Sequence, residues 1–402
     1  MRLVACQGSA QLVTALSALR QRQQESRQAQ ETFRDVLVLY DLCAPETQLA
    51  EFRETLLRMA RTHDSWSAVV SLDPVEIGRL SQLVRSRGLR AARREVCRLL
   101  GVDTVNEVFV ARNWQPGNQL MMNCYAEATQ ICYGDTIGVY FTEGYLSPAA
   151  AAPRSQDRGG VLQRALSILR LVLFGPGRLA VLPFDHGYLA AADLFGEVAP
   201  FPVSIKDRAI MKETLRATAD AVRPEVPEAL RGGDGETVLV LPANFSEAQS
   251  MSRADELAAY LDFLKPRVAR EAKIVLKPHP RDSREKIAAL AVALREQFRE
   301  VAVLDEERFF YLPFELLLLT ALADAEFRIA RSFRLVCFSS SCLGPAFLFD
   351  LRAEIGFGPE LVNRAFTPAL RANRLRHEAD LAKALERILN SHGGEIPSGT
   401  NL

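Results

Sequence analysis

Short apolar runs and longer amphipathic runs alternate from one end of this chain to the other. "RLVAC", "DVLVLYD", "WSAVVSL" and "NEVFVA" have the length and β-branched content of strands. Ala-, Leu- and Arg-rich stretches such as "PVEIGRLSQLVRSRGLRAARREVCRLL" separate them and carry helical periodicity. A second series begins after "RGGDGE", a polar glycine-rich break of the kind that joins domains. It runs through "TVLVLP", "KIVLKP", "VAVLD", "RLVCFSSS" and "AEIGFG", again with helical segments between. Strands alternating with helices predict βαβ units and parallel sheets. Two such series predict an α/β chain of two Rossmann-like, doubly wound domains, residues 1–230 and 236–402, facing a cleft. No repeat of solenoid period and no low-complexity tract competes with that reading.

Composition changes this picture little. At 402 residues the chain exceeds one ordinary core. With 48% hydrophobic and 24% charged residues and a formal net charge of zero, it has the balance of a soluble globular protein without global attraction to polyanions. No basic patch interleaved with aromatics is visible, so no nucleic-acid partner is expected. "RQRQQESRQAQETFRD" reads as a solvated helix face and loop. The seven cysteines are scattered, with no C-x-x-C and no pair at metal-ligand spacing, which predicts a reduced, cytoplasmic chain with buried thiols and no metal. "MRLVACQGSAQLV" is interrupted by Gly8, Ser9 and Gln11 and reads as a first strand and its turn, not a signal peptide. "ALSILRLVLFGPGRLAVLPF" is broken by Arg170, Gly175, Pro176, Gly177 and Arg178 and falls short of a spanning helix. A buried helix followed by a strand is expected there, with peripheral association at the inner face of a membrane as the alternative.

Candidate chemistry concentrates in the second half. In "KIVLKPHPRDS" a strand ends in His279 between Pro278 and Pro280, each of which removes a backbone donor and holds the chain extended. The carboxyl ends of parallel strands are where open α/β sheets keep their ligands. Lys277 and Arg281 stand two residues to either side. In "RLVCFSSSCLGPAFLF" a strand stops at Ser339, Ser340 and Ser341 before a helical pattern. Hydroxyls and free N–H groups there suit a phosphate; the alternative is that one serine merely caps the helix. Between these lies "ERFFYLPFELLLLTALAD", where Pro313 suits a helix start and Glu315 either accepts from ribose hydroxyls or complements the helix dipole. Neither GxGxxG after a strand nor GxxxxGK[ST] occurs, which argues against a dehydrogenase or a P-loop enzyme.

The strand ending in "KPHP", the later strand ending in a Ser-Ser pair and the two Rossmann-like halves together resemble the bacterial sialyltransferases of GT-B glycosyltransferase type, most of all the α-2,8-polysialyltransferase-like family. The resemblance implies an inverting, metal-independent transfer of sialic acid from CMP-sialic acid to a glycan acceptor, with no cofactor beyond the donor. It implies that the HP motif (His279, Pro280) and the SS motif (Ser339, Ser340, Ser341) bind the donor phosphate; the positions of Lys277 and Glu315 in the sequence, apart from the resemblance, make them candidates for the nucleotide side. An acidic residue of the N-terminal domain would deprotonate the acceptor hydroxyl. The family's acid is followed by Asp and Gly, whereas this chain offers "QICYGDTIGVYFTEG". Asp135 is then the expected base, at the end of a strand-like run beside glycines that admit substrate to the backbone, and Glu143 the reserve. In "ARNWQPGNQLMMNCY", Asn113, Trp114, Gln115, Asn118 and Gln119 offer amides and an indole to a sugar, or else begin a helix. Asp185 and His186 in "PFDHGYL" read as a surface turn, with a cleft position as the alternative. CMP-Kdo- or CDP-glycerol-dependent transferases and a non-catalytic nucleotide-sugar-binding protein are the rival readings. Oligomeric state, acceptor and linkage are not legible.

Overall fold

A computed structural model describes residues 1–28, 33–40, 49–134, 177–190, 201–231, 235–279, 282–306, 308–330 and 332–391. The chain divides into two compact units, Met1–Thr214 and Leu215–Leu402. The division falls within the helix Arg208–Val222, upstream of the glycine-rich stretch at 231–236 where the sequence suggested a join.

The first unit is built on β1 (Arg2–Cys6), β2 (Asp35–Tyr40), β3 (Trp66–Leu72), β4 (Glu107–Val110), β5 (Thr129–Cys132), β6 (His186–Leu189) and β7 (Val203–Ile205). They form one parallel sheet in the order β3-β2-β1-β4-β5-β6-β7. Every residue of β1 and β2 is buried, as a central parallel strand with covered faces requires, whereas the edge strand β3 alternates between half-buried and exposed positions. The long helical stretch read from the sequence is two helices, Pro74–Arg87 and Leu89–Leu100, because Gly88 takes φ 78° and ends the first. The strand expected within "RLAVLPF" does not form. Residues 179–184 are instead held by side chains: Asn123 bonds both the N–H and the C=O of Ala180, and Asn113 donates to the carbonyl of Leu182.

The second unit contains β8 (Thr237–Leu241), β9 (Lys273–Leu276), β10 (Glu300–Val303), β11 (Phe333–Cys337) and β12 (Ala353–Ile355), all parallel, in the order β10-β9-β8-β11-β12. Both orders are those of doubly wound Rossmann-like sheets, in which the first strand of the series is central and the chain switches direction beside it. The expected α/β fold class, with two Rossmann-like parallel sheets, is observed. Each unit has its own core. Leu3, Val36, Val38, Val108 and Leu120 lie in the first, and Val238, Val240, Ile274, Val336, Phe338 and Phe357 in the second. Among the described residues no helix is long and apolar enough to cross a membrane. The described cysteines are all free, and all but Cys97 are buried.

Candidate active site

The switch point of the second sheet lies between β8 and β11. The chain leaves β9 through "KPHP" and leaves β11 through "FSSSC", so the two motifs flank the carboxyl end of β8. Two strand spacings, about 10 Å, separate their strands.

The turn after β9 is closed on itself. The His279 N–H donates to Asp282 Oδ2 at 2.8 Å, and the Asp282 N–H donates to the His279 carbonyl at 2.9 Å. Ser283 then caps the helix Arg284–Arg295 by accepting from the Lys286 N–H. Asp282 Oδ1 lies 2.6 Å from the ammonium of Lys286, which is fully buried and also meets Glu247 Oε2 at 2.8 Å, Glu256 Oε1 at 2.9 Å and the Ala243 carbonyl at 3.1 Å. The histidine is half-buried on a turn whose underside is a charged network.

The serine turn stands on an aromatic block. Phe338, the residue after β11, packs its ring against Tyr260, Phe263 and Phe357 at centroid distances of 4.9, 5.2 and 4.4 Å, and the buried Arg374 guanidinium donates to its carbonyl. Ser339 Oγ accepts from the Ser341 N–H and donates to Ser341 Oγ at 3.1 Å, opening a 3-10 turn over Ser340–Cys342 and a helix over Leu343–Phe349. Ser339 is thus a cap, and all three serines are half-buried at the strand end.

Lys277 and Glu315 connect the two motifs. Glu315 stands in the first turn of the helix Phe314–Ala321, behind Pro313, as its sequence context predicts. Its carboxyl lies against Gly344, three residues past Ser341: a Cβ at Gly344 would come within 1.8 Å of Glu315 Oε1, so only glycine leaves room for the acid. Burial raises the Glu315 pKa, offset in part by a backbone hydrogen bond and by Lys277. Burial pushes Lys277 down to about 8, against the attraction of Glu315 and Asp282, and its ammonium lies 6.0 Å from the Phe314 ring centroid. Lys277, Glu315 and the segment after the serines therefore share one site.

Asp135, Glu143 and Pro280 lie outside the described residues. What leads to Asp135 is visible: Tyr133, just past β5, donates its hydroxyl to the Ala5 carbonyl at 2.7 Å, and its own carbonyl accepts from the ammonium of Lys206 at 3.0 Å. Lys206 is 2% exposed and burial lowers its pKa to about 7. Lys206 and Lys286 are the charged residues that sequence reading passed over, since each sits in a short polar stretch resembling a helix surface. Asn118 is fully buried and employed in the fold, accepting from the Tyr40 hydroxyl and donating to the Arg112 carbonyl and Gln115 Oε1. Asn113 is occupied by the Leu182 carbonyl, so the amides of this loop chiefly hold structure. Asp185 and His186 stand at the beginning of β6, the edge opposite the strand ends, because the strand starts at His186 and not before it.

At the level of overall fold, S. aureus MnaA in complex with UDP aligns with a TM-score of 0.46 and 12% identity, covering 100% of this chain and 99% of that one. The UDP-GlcNAc 2-epimerase from Methanocaldococcus jannaschii aligns with a TM-score of 0.42 and 9% identity, covering 97% and 93%. E. coli heptosyltransferase WaaC with ADP aligns with a TM-score of 0.38 and 14% identity, covering 88% and 86%. No curated protein is significantly similar to the chain in sequence. Residues 190–321 match the family model described as Alpha-2,8-polysialyltransferase (POLYST), a span that takes in Lys277, His279 and Glu315. Over that span the chain is polysialyltransferase-like, which bears out the resemblance drawn from its sequence and the reading of the protein as a glycosyltransferase.

Proposed function

We propose that the chain transfers sialic acid from CMP-sialic acid to a hydroxyl of a glycan acceptor, with inversion and without a metal, as a cytoplasmic enzyme. The observation that carries this reading is the contact between Glu315 and Gly344. It joins Lys277 and Glu315, inside the family match, to the serine turn beyond it.

Each residue has a task that its chemistry supports. The CMP phosphate would sit between the turn after β9 and the turn after β11. His279 donates a proton or hydrogen bond to the phosphate oxygen as the glycosidic bond breaks, and the hydroxyls of Ser340 and Ser341 donate to the same phosphate. Lys277 supplies nearby positive charge; even at a pKa of about 8 it is mostly protonated near neutral pH, and an approaching anion raises that value. Glu315 accepts from the ribose hydroxyls. Asp135 takes the proton of the acceptor hydroxyl as its oxygen attacks the anomeric carbon from the opposite side, with Glu143 in reserve.

Calorimetric titration with CMP, UMP and ADP tests the donor half of this scheme without needing an acceptor. CMP should bind more tightly than the other two, and Ser340→Ala/Ser341→Ala should weaken it. Equal affinity for all three nucleotides, or an unchanged CMP affinity in the double variant, contradicts the assignment.

A further inference from the structure

We propose that Lys286 is a positioning residue for His279, acting through Asp282; this rests on the reading of His279 above. Lys286 stands one turn into the helix Arg284–Arg295, and its side chain is fully buried. Its ammonium ties together two strand exits. From the exit of β8 it takes the Ala243 carbonyl and Glu247, and from the exit of β9 it takes Asp282. Glu256, fully buried in the helix Arg253–Leu264, completes the set and is itself held by the Ser246 N–H and the Tyr260 hydroxyl. The Ser283 N–H donates to Glu247 Oε1, so the same acid grips the turn from its far side.

Charge counting separates this network from a device for stability alone. One ammonium faces two carboxylates whose side chains are fully buried with it, Asp282 and Glu256, and a third, Glu247, that reaches in from an exposed residue. A single carboxylate partner suffices to bury a lysine, and each further buried acid costs desolvation. Asp282 bears that cost: burial raises its pKa despite the bond to Lys286. What Asp282 gives in return is its second oxygen, spent on the His279 N–H. Removing the ammonium leaves three carboxylates to repel one another and releases Asp282, and with it the backbone that aims the imidazole. A displacement of the order of 1 Å in such a group costs about 100-fold in turnover.

Two measurements on the full chain decide the matter. In proton NMR, with the imidazole signal assigned by its loss in His279→Ala, Lys286→Met and Asp282→Asn should both move the His279 resonance and leave that of His63 in place. A stationary His279 signal in both overturns the proposal, whatever the donor. In nucleotide release from CMP-sialic acid, Lys286→Met should lower kcat about 10- to 100-fold with KM little changed, Lys286→Arg should restore part of it, and Lys286→Met should cost nothing further in a His279→Ala background. Additive losses overturn the proposal. If His279→Ala itself leaves turnover intact, the reading of His279 fails and the NMR arm alone judges the coupling. If Lys286→Met does not fold, Asp282→Asn, which keeps the shape and two acid partners for the lysine, carries both tests.

Discussion

In the first domain Arg2, Asp35 and His63 meet at the amino ends of β1 and β2; in the second, Lys286 meets Glu247, Glu256 and Asp282 where the chain leaves β8 and β9. Both clusters are buried except for Glu247, which reaches into the second from an exposed residue. The first is a closed account of charge: the Arg2 guanidinium grips both oxygens of Asp35 at 2.6 and 2.8 Å, and His63 Nε2 lies 2.6 Å from Oδ2. Burial by itself would raise the Asp35 pKa, but His63 and Arg2 outweigh it and hold the carboxyl below its ordinary value. The second cluster is unbalanced, and Asp282 is raised. Strand ends explain the difference. The amino edge of a parallel sheet has no ligand to serve, so its charges neutralise one another; the carboxyl edge serves a ligand, so its charges are spent on holding turns in place.

The largest effect that should separate the two regions is on turnover. His279→Ala is expected to lower nucleotide release about 10²- to 10⁴-fold with an unchanged far-ultraviolet spectrum, as loss of a proton donor does. Asp35→Asn should do the opposite. Leaving Arg2 buried without its carboxylate costs about 3–5 kcal/mol of stability, read from urea midpoints, while kcat of the folded fraction stays as in the wild type. A kinetic defect in Asp35→Asn at full folding would erase the distinction.

Gly344→Ala comes next. Its methyl group would take the space of Glu315 Oε1, so CMP affinity should fall about 10- to 100-fold, the worth of a hydrogen bond to a charged group. Affinity that survives the substitution would remove Glu315 from the nucleotide site. The smallest effect is on the pH dependence of stability. Because the native pKa of Asp35 is lowered, its contribution is present above the ordinary carboxylate value of about 3.9 and lost as pH falls through the native value. For Asp282 the sign reverses: its native pKa is raised, so stability is gained as pH falls into the window between that value and the ordinary one. Urea midpoints at about pH 7 and about pH 4.5 should therefore shift less favourably on acidification in Asp282→Asn than in wild type.

Strands with buried faces were the most legible part of the sequence. "RLVAC", "TVLVLP" and "KIVLKP" lie on central strands, because apolar β-branched runs leave no other way to bury themselves, and the edge strand β3 was legible too, "WSAVVSL" matching it residue for residue. Short strands were harder. β7, Val203–Ile205, has half-buried and exposed positions, and neither it nor its neighbour β6, His186–Leu189, carries a long apolar run. "RLAVLPF" has such a run and forms no strand, since Asn113 and Asn123 satisfy its backbone instead. The strand-end positions of His279 and the serines were legible because proline and consecutive hydroxyls after an apolar run are unusual. Lys286 was not, because "DSREK" reads as a capped, solvated helix start; only the fold brings Glu247 and Glu256 to it from residues 39 and 30 positions away.

The most direct test of sialyl transfer at the β9 and β11 strand ends is CMP release from CMP-sialic acid by the purified protein, run with chelator and a glycan acceptor, in wild type and His279→Ala, with CMP-Kdo, CDP-glycerol and UDP-sugars alongside. Chelator-insensitive release from CMP-sialic acid, lost in His279→Ala, is the expected result. Release from another donor alone, or release that His279→Ala leaves intact, would contradict it.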